Sequence, residues 1–167
     1  MTKTVTEIEN IVKQLADRIN APSYLLPTFS SPIGDATPNI EVDNLGLYNY
    51  VISERGTEYE RKLTSDLNDL LYWIFSSVTF SMACNYELKN RIEEKDCRRI
   101  IFAKQEELLG VLDSKWEEKE RKEHKSILVN SPFDDLAGLR ATYCRELRAK
   151  GLSESEIDKL AYEKYPE

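Results

Sequence analysis

The chain has 167 residues, 41% of them hydrophobic, and a formal net charge of -7. That length fills one core and is short for two, and its richest apolar run, residues 70–82, is broken by Ser76, Ser77, Thr79 and Ser81, which excludes a membrane span. The acidic balance opposes nucleic acid and favours a basic partner, or serves only solubility.

The charge is uneven. Residues 1–70 carry six cations and eleven anions, a net -5, and the rest of the chain carries -2. The first twenty residues lack the basic end, apolar stretch and cleavage site of a secretory signal. The three cysteines, Cys84, Cys97 and Cys144, are far apart and form neither a metal-type pair nor a disulfide framework. These features predict a reducing, cytoplasmic setting.

In chain order, Ile8, Ile11, Val12, Leu15 and Ile19 recur at three- and four-residue steps and predict a first helix over residues 4–20. Pro22 stops it. Residues 21–38, with four further prolines or glycines, read as an extended loop docked by Tyr24, Leu25, Leu26 and Phe29. A β-hairpin follows. Residues 47–53 place Tyr48, Tyr50 and Ile52 on one face, Arg55-Gly56 turns, and residues 57–63 return with Tyr59 and Leu63 alternating against charges. Residues 39–42 can add a third strand. The tyrosines either pack on the core or meet a partner.

Thr64 or Ser65 can cap the next helix, with Asp66 and Asp69 near the positive end of its dipole. Residues 70–82 are apolar on every side, so this helix is expected to be buried all round. A helix opening at Asp96 carries Ile101, Leu108 and Leu112 on one face, beside Phe102, Gln105 and Leu109. Ser114-x-x-Glu117 reads as a capping box for a fourth helix, anchored by Trp116, Ile127 and Leu128 with solvated charges between. Ser131-Pro132 opens a helix to about residue 150, which Gly151 ends. Ser153-x-x-Glu156 caps a last helix bearing Ile157, Leu160 and Tyr165. The expected fold is mainly α: a helical bundle around one buried central helix, with a small N-terminal antiparallel hairpin or short sheet. The whole chain, residues 1–167, is expected to be one domain: helix and loop to residue 45, hairpin over 46–64, helical body over 65–167.

Chemistry-bearing motifs are sparse. His124 stands alone in a charge run and reads as a surface residue. There is no Gly-x-Ser-x-Gly elbow and no phosphate-cradling glycine loop. Glu93, Glu94, Asp96, Glu106 and Glu107 would serve a magnesium-dependent helical nucleotide hydrolase only if they converged from two helices. Otherwise they are solvated or complement a helix start. No metal or cofactor site and no catalytic residue is assigned. Glu87 and Arg91 are four apart and can pair; with Arg98 and Arg99 they form a charged cluster whose expected role is structural, fixing how two helices cross.

The ordered series GLYNYVISERGTEYERKLTSDLNDLLYWIFSSVTFSMACNYELKNRIEEKDCRRIIFAKQEELLGVLD, then a tryptophan helix and SPFDD, resembles the immunity protein 63 family of bacterial polymorphic toxin systems over roughly residues 46–135. The Arg55-Gly56 turn, Leu70-Leu71-Tyr72-Trp73, Tyr86-Glu87-x-x-x-Arg91 and Asp96-x-Arg98-Arg99 carry the resemblance by order and spacing. It implies a non-enzymatic protein that binds the toxic domain of a cognate toxin inside the cell and transfers no catalytic positions. Many such toxins attack nucleic acids and have basic clefts, so the acids Glu54, Glu58, Glu60, Asp66 and Asp69 are the expected partner-binding residues. A monomer or homodimer, with no nucleic acid or membrane partner, completes this reading. A helical adaptor and the hydrolase above are its alternatives.

Overall fold

Thr4 accepts a hydrogen bond from the Glu7 backbone N–H while the Glu7 carboxylate accepts from Thr4, a capping box that starts α1 (Val5–Arg18). Ile8, Val12 and Ala16 form its buried stripe. The computed structural model describes residues 2–167. After one 3-10 turn (Ser23–Leu25), the elements are β1 (Asn39–Val42), β2 (Tyr48–Glu54), β3 (Thr57–Thr64), α2 (Leu67–Lys89), α3 (Arg98–Leu112), α4 (Ser114–Asn130), α5 (Ala137–Ala149) and α6 (Glu154–Lys164). The protein is mainly α with one small sheet, as its sequence implies.

The sheet is antiparallel in the order β1-β2-β3. A two-residue turn joins β2 to β3, with Arg55 at φ 50° and Gly56 at φ 81°. Both central residues are left-handed, the combination that matches strand twist in tight hairpins. This turn sets Lys62 opposite Tyr50 and Glu60 opposite Ile52. Tyr48 and Tyr50 therefore face the core and are buried, while Tyr59 and Leu63 face solvent. A bulge at Ile52/Ser53 shifts the register beside Tyr59. The proline-rich loop runs over the sheet's outer face, pinned where Arg55 N–H donates to the Gly34 carbonyl at 2.9 Å. Leu25, Leu26 and Phe29 pack against the core, but Tyr24 does not dock and stays exposed.

Helix α2 has 23 residues, about 34 Å of axis. Asp66 caps it by accepting from the Asn68 N–H at 2.8 Å. Leu70, Ile74, Phe75 and Val78 sit at the centre of the core, against Leu109 of α3, Trp116 of α4 and Ile8 and Val12 of α1. Phe75 stacks on Trp116 at 6.1 Å. The expectation of burial all round fails on one side: Ser77 is exposed and Phe80 is 47% exposed. The short sheet covers the first turns of α2 and half-buries Trp73, while Ser77 and Phe80 beyond it are left exposed among the described residues.

Three further boundaries differ from the sequence reading. Asp113, not Ser114, caps α4, accepting from the Lys115 N–H at 2.7 Å. Asp96 precedes α3 and accepts from the Arg98 N–H at 2.9 Å. Helix α5 starts at Ala137, not at Pro132, because Asp134 and Asp135 hold residues 131–136 outside helical geometry through side-chain and backbone bonds. Helices α5 and α6 pack on each other through Leu147, Ile157 and Ala161. Arg140 joins them, donating to Asp134 Oδ2 at 2.6 Å and to the Tyr165 carbonyl at 2.8 Å.

Candidate functional site

The uncovered strip of α2 lines a cleft of about 610 Å³. Trp73, Ser77 and Phe80 repeat at helical spacing and form one wall. Tyr50, Ile52, Glu60 and Lys62 of the sheet form the second, and Lys119, Glu123 and Ile127 of α4 form the third. The floor is polar and buried.

Five polar side chains make that floor. Tyr72 Oη and Ser76 Oγ each donate to Glu120 Oε2 at 2.9 Å. Gln105 Nε2 donates to the Ser76 carbonyl at 3.1 Å, which turns its Oε1 toward His124 Nε2, also at 3.1 Å. His124 Nδ1 lies 2.8 Å from Glu106 Oε1. Phe102 stacks on the imidazole with ring centres 3.9 Å apart. Burial, then hydrogen bonding to the Glu120 carboxylate, pushes the Tyr72 phenol up, which keeps it a donor.

His124 is 4% exposed and Glu120 is 8% exposed, so the histidine is not the surface residue its charged neighbours suggest. Trp116, Glu120 and His124 stand four residues apart and share one face of α4. That spacing is the signal that identifies the face. The charges at 120 and 124 mask it, and only the hydroxyls and amide of α2 and α3 make their burial tolerable.

The five acids expected to bind a partner are not one patch. Glu58 chelates Arg61, with Oε1 at 2.9 Å from Nε and Oε2 at 2.8 Å from Nη2. Glu54 lies 3.7 Å from the Arg55 guanidinium at the turn. Glu60 turns into the cleft and pairs with Lys62 at 3.1 Å. Asp66 is the α2 cap, and Asp69 accepts from Thr64 Oγ1 at 3.4 Å in the first turn. The bulge at Tyr59 puts Glu58 and Glu60 on opposite faces of β3, and the two aspartates are taken up in the first turn of α2.

The charged cluster also divides. Glu87 is buried and takes both hydrogen bonds of Arg91, at 2.8 and 2.9 Å; this bonding outweighs burial and holds its carboxyl below the usual range. Arg98 pairs with Asp96 at 2.6 Å and donates to the Ser131 and Pro132 carbonyls, both at 2.8 Å. Arg99 pairs with Asp135 at 2.7 Å. Arg98 and Arg99 thus fasten the segment leading to α5 onto the α2–α3 junction. Their partners in that segment, the Ser131 and Pro132 carbonyls and the Asp135 carboxylate, lie around a proline in sequence and carry no periodic signal.

The acids of the hydrolase alternative do not converge. Asp96 is engaged by Arg98, Glu106 by His124 and Arg121, and Glu107 by Lys104 at 2.8 Å. Among the described residues no group of three or more His, Cys, Asp or Glu side chains is placed to hold a metal ion. Nor is any helix long and apolar enough to cross a membrane.

The site is thus a buried polar floor under a partly aromatic cleft, on a helical body with a small sheet. The sequence profile described as Immunity protein 63 matches residues 43–126, half of the chain. The chain belongs to the immunity protein 63 family. Comparison with curated proteins and with solved structures gave no match. The matched segment runs from just before β2 into α4, and every cleft residue except Ile127 lies within it.

Proposed function

We propose that this protein neutralises a cognate bacterial toxin domain by stoichiometric protein–protein contact in the cytoplasm of the cell that makes it, acting by binding and not by catalysis. The observation that carries this reading is family membership over the segment that builds the hairpin, the central helix and the cleft. The open strip of half-buried Trp73 with exposed Ser77 and Phe80 supports it, because an aromatic face left open on a central helix suits a protein interface. In this reading Glu54, Glu58, Glu60, Asp66 and Asp69 set the acidic field of the hairpin and the start of α2, and steer a basic toxin surface toward the cleft.

The test is co-expression with the toxin domain encoded beside it. The protein should restore growth, and the purified pair should elute as one complex of fixed stoichiometry. Reversing the five acids to lysine should slow association and flatten its salt dependence. Unprotected cells together with no complex would refute the reading. Retention of the parent's association rate by the five-lysine variant would refute the steering role alone.

A further inference from the structure

Glu120 keeps one carboxylate oxygen without a hydrogen-bond donor among the described residues. Its Oε2 accepts two hydroxyl donors at 2.9 Å, but its Oε1 accepts no hydrogen bond among the described residues and stands 3.6 Å from His124 Nε2. No lysine or arginine pairs with it or with Glu123 at the mouth, although Lys119 is its immediate neighbour. Lys119 instead lies over the Tyr72 ring, 4.0 Å from its centre. Lys62 lies 5.7 Å from the centre of Tyr50 and 5.9 Å from that of Trp73. The aromatic walls therefore already hold cations at their rims, as electron-rich ring faces do.

Any partner that seals this cleft strips water from Glu120 Oε1. A purely apolar plug would leave a buried carboxylate oxygen without a donor, which is strongly unfavourable. A cationic donor satisfies it and gains from the ring faces as well. We infer that the cleft between β3, α2 and α4 is a socket for one arginine side chain of the bound protein, stacked against Trp73 and donating to Glu120. Arginine fits better than lysine because its flat fork can lie on an aromatic wall and donate at its edge at the same time. This rests on the toxin-binding reading for the identity of the partner, not for the chemistry of the socket.

Two experiments separate the two ideas. In the first, the isolated protein is titrated with millimolar N-acetyl-arginine methylamide and followed by NMR, with the uncharged citrulline analogue as control. The Trp73 indole and the Glu120 side chain should shift with the arginine compound alone, and Glu120→Gln should abolish the response. No response, or an equal one to citrulline, overturns the socket whatever the toxin does. In the second, affinity for the toxin domain is measured for Glu120→Gln and Phe80→Ser, each checked by its urea midpoint. Glu120→Gln should weaken binding by roughly 30-fold, mostly through faster dissociation. Its effect should be non-additive with the loss of one particular toxin arginine. Toxin binding within threefold of the parent by both variants would overturn the socket while leaving the toxin reading intact. An arginine response with no toxin complex would defeat the toxin reading alone.

Discussion

Replacing His124 by alanine measures how much of the fold depends on the polar floor. The ring stacks on Phe102 at 3.9 Å and joins Glu106 at 2.8 Å to Gln105 at 3.1 Å. Losing the bond to a carboxylate costs about 1.5–3 kcal/mol, and leaving Gln105 Oε1 buried without a partner adds about 1 kcal/mol. Some of this is recovered if water enters from the cleft, so the expected cost is about 3 kcal/mol. Equilibrium urea unfolding is the assay. With a slope of about 2 kcal/mol per molar urea, the midpoint should fall by about 1.5 M with the slope unchanged. Lys125→Ala, on the exposed side of the same helix, should stay within about 0.5 kcal/mol of the parent. If His124→Ala also stayed within that margin, the histidine would be a solvated residue and the floor described above would not exist.

Three other outcomes follow from local geometry. Arg55 occupies a left-handed position in the hairpin turn, at φ 50°, so Arg55→Asn should stabilise by about 0.5 kcal/mol, read as a rise of about 1–2 °C in Tm; a fall in Tm would contradict the turn assignment. A Cβ at Gly110 would meet Glu117 Oε2 at 2.6 Å, and Glu117 is tied to Arg121. Gly110→Ala should therefore give no gain alone but stabilise by about 1 kcal/mol in a Glu117→Ala background, in urea melts of the four proteins; equal effects in both backgrounds would count against close packing of α3 on α4. Acid should release the α5–α6 pair first. Burial raises the Asp96 carboxyl, but bonds from Arg98 and two backbone N–H groups outweigh it; Arg140 lowers Asp134, and Arg99 lowers Asp135. Folded values below unfolded ones mean that this stabilisation is complete well above the unfolded value of about 3.9 and is lost as pH falls through the folded values. Amide exchange between pH 5 and pH 2 should show residues 137–164 losing protection before α2, and simultaneous loss would refute the polar fastening.

What the sequence disclosed depended on the kind of signal. The α1 stripe, the capping box at Ser153, the Arg55-Gly56 turn and the long apolar helix α2 are local patterns, and each occurs where the spacing places it. His124 was hidden because its burial depends on partners contributed by Phe102, Gln105 and Glu106, on another helix. The start of α5 departs from its sequence signal for the same reason: Ser131-Pro132 is a sound opening signal, but Asp134 and Asp135 are held by Asp96 and Arg99 from about forty residues earlier. For the acidic hairpin, composition gave a correct charge and no information on direction. The register of β3 then turned Glu60 inward and Glu58 outward.

The open side of α2 is the observation that fold stability explains least. Ser77 and Phe80 lie on the same exposed strip, and a serine at 80 would cost little where nearly half the ring already meets water. An exposed aromatic beside Trp73 is a liability for a lone domain, since apolar strips invite unspecific association. It becomes useful when a partner closes over it. Closure at about 25 cal/mol per Å² gives affinity without direction, whereas the donor-seeking oxygen of Glu120 penalises any occupant that cannot answer it. A cleft that combines the two attracts broadly and rejects selectively. On the toxin-binding proposal, discrimination would sit at the base of the cleft, with the hairpin's charges acting earlier, on approach.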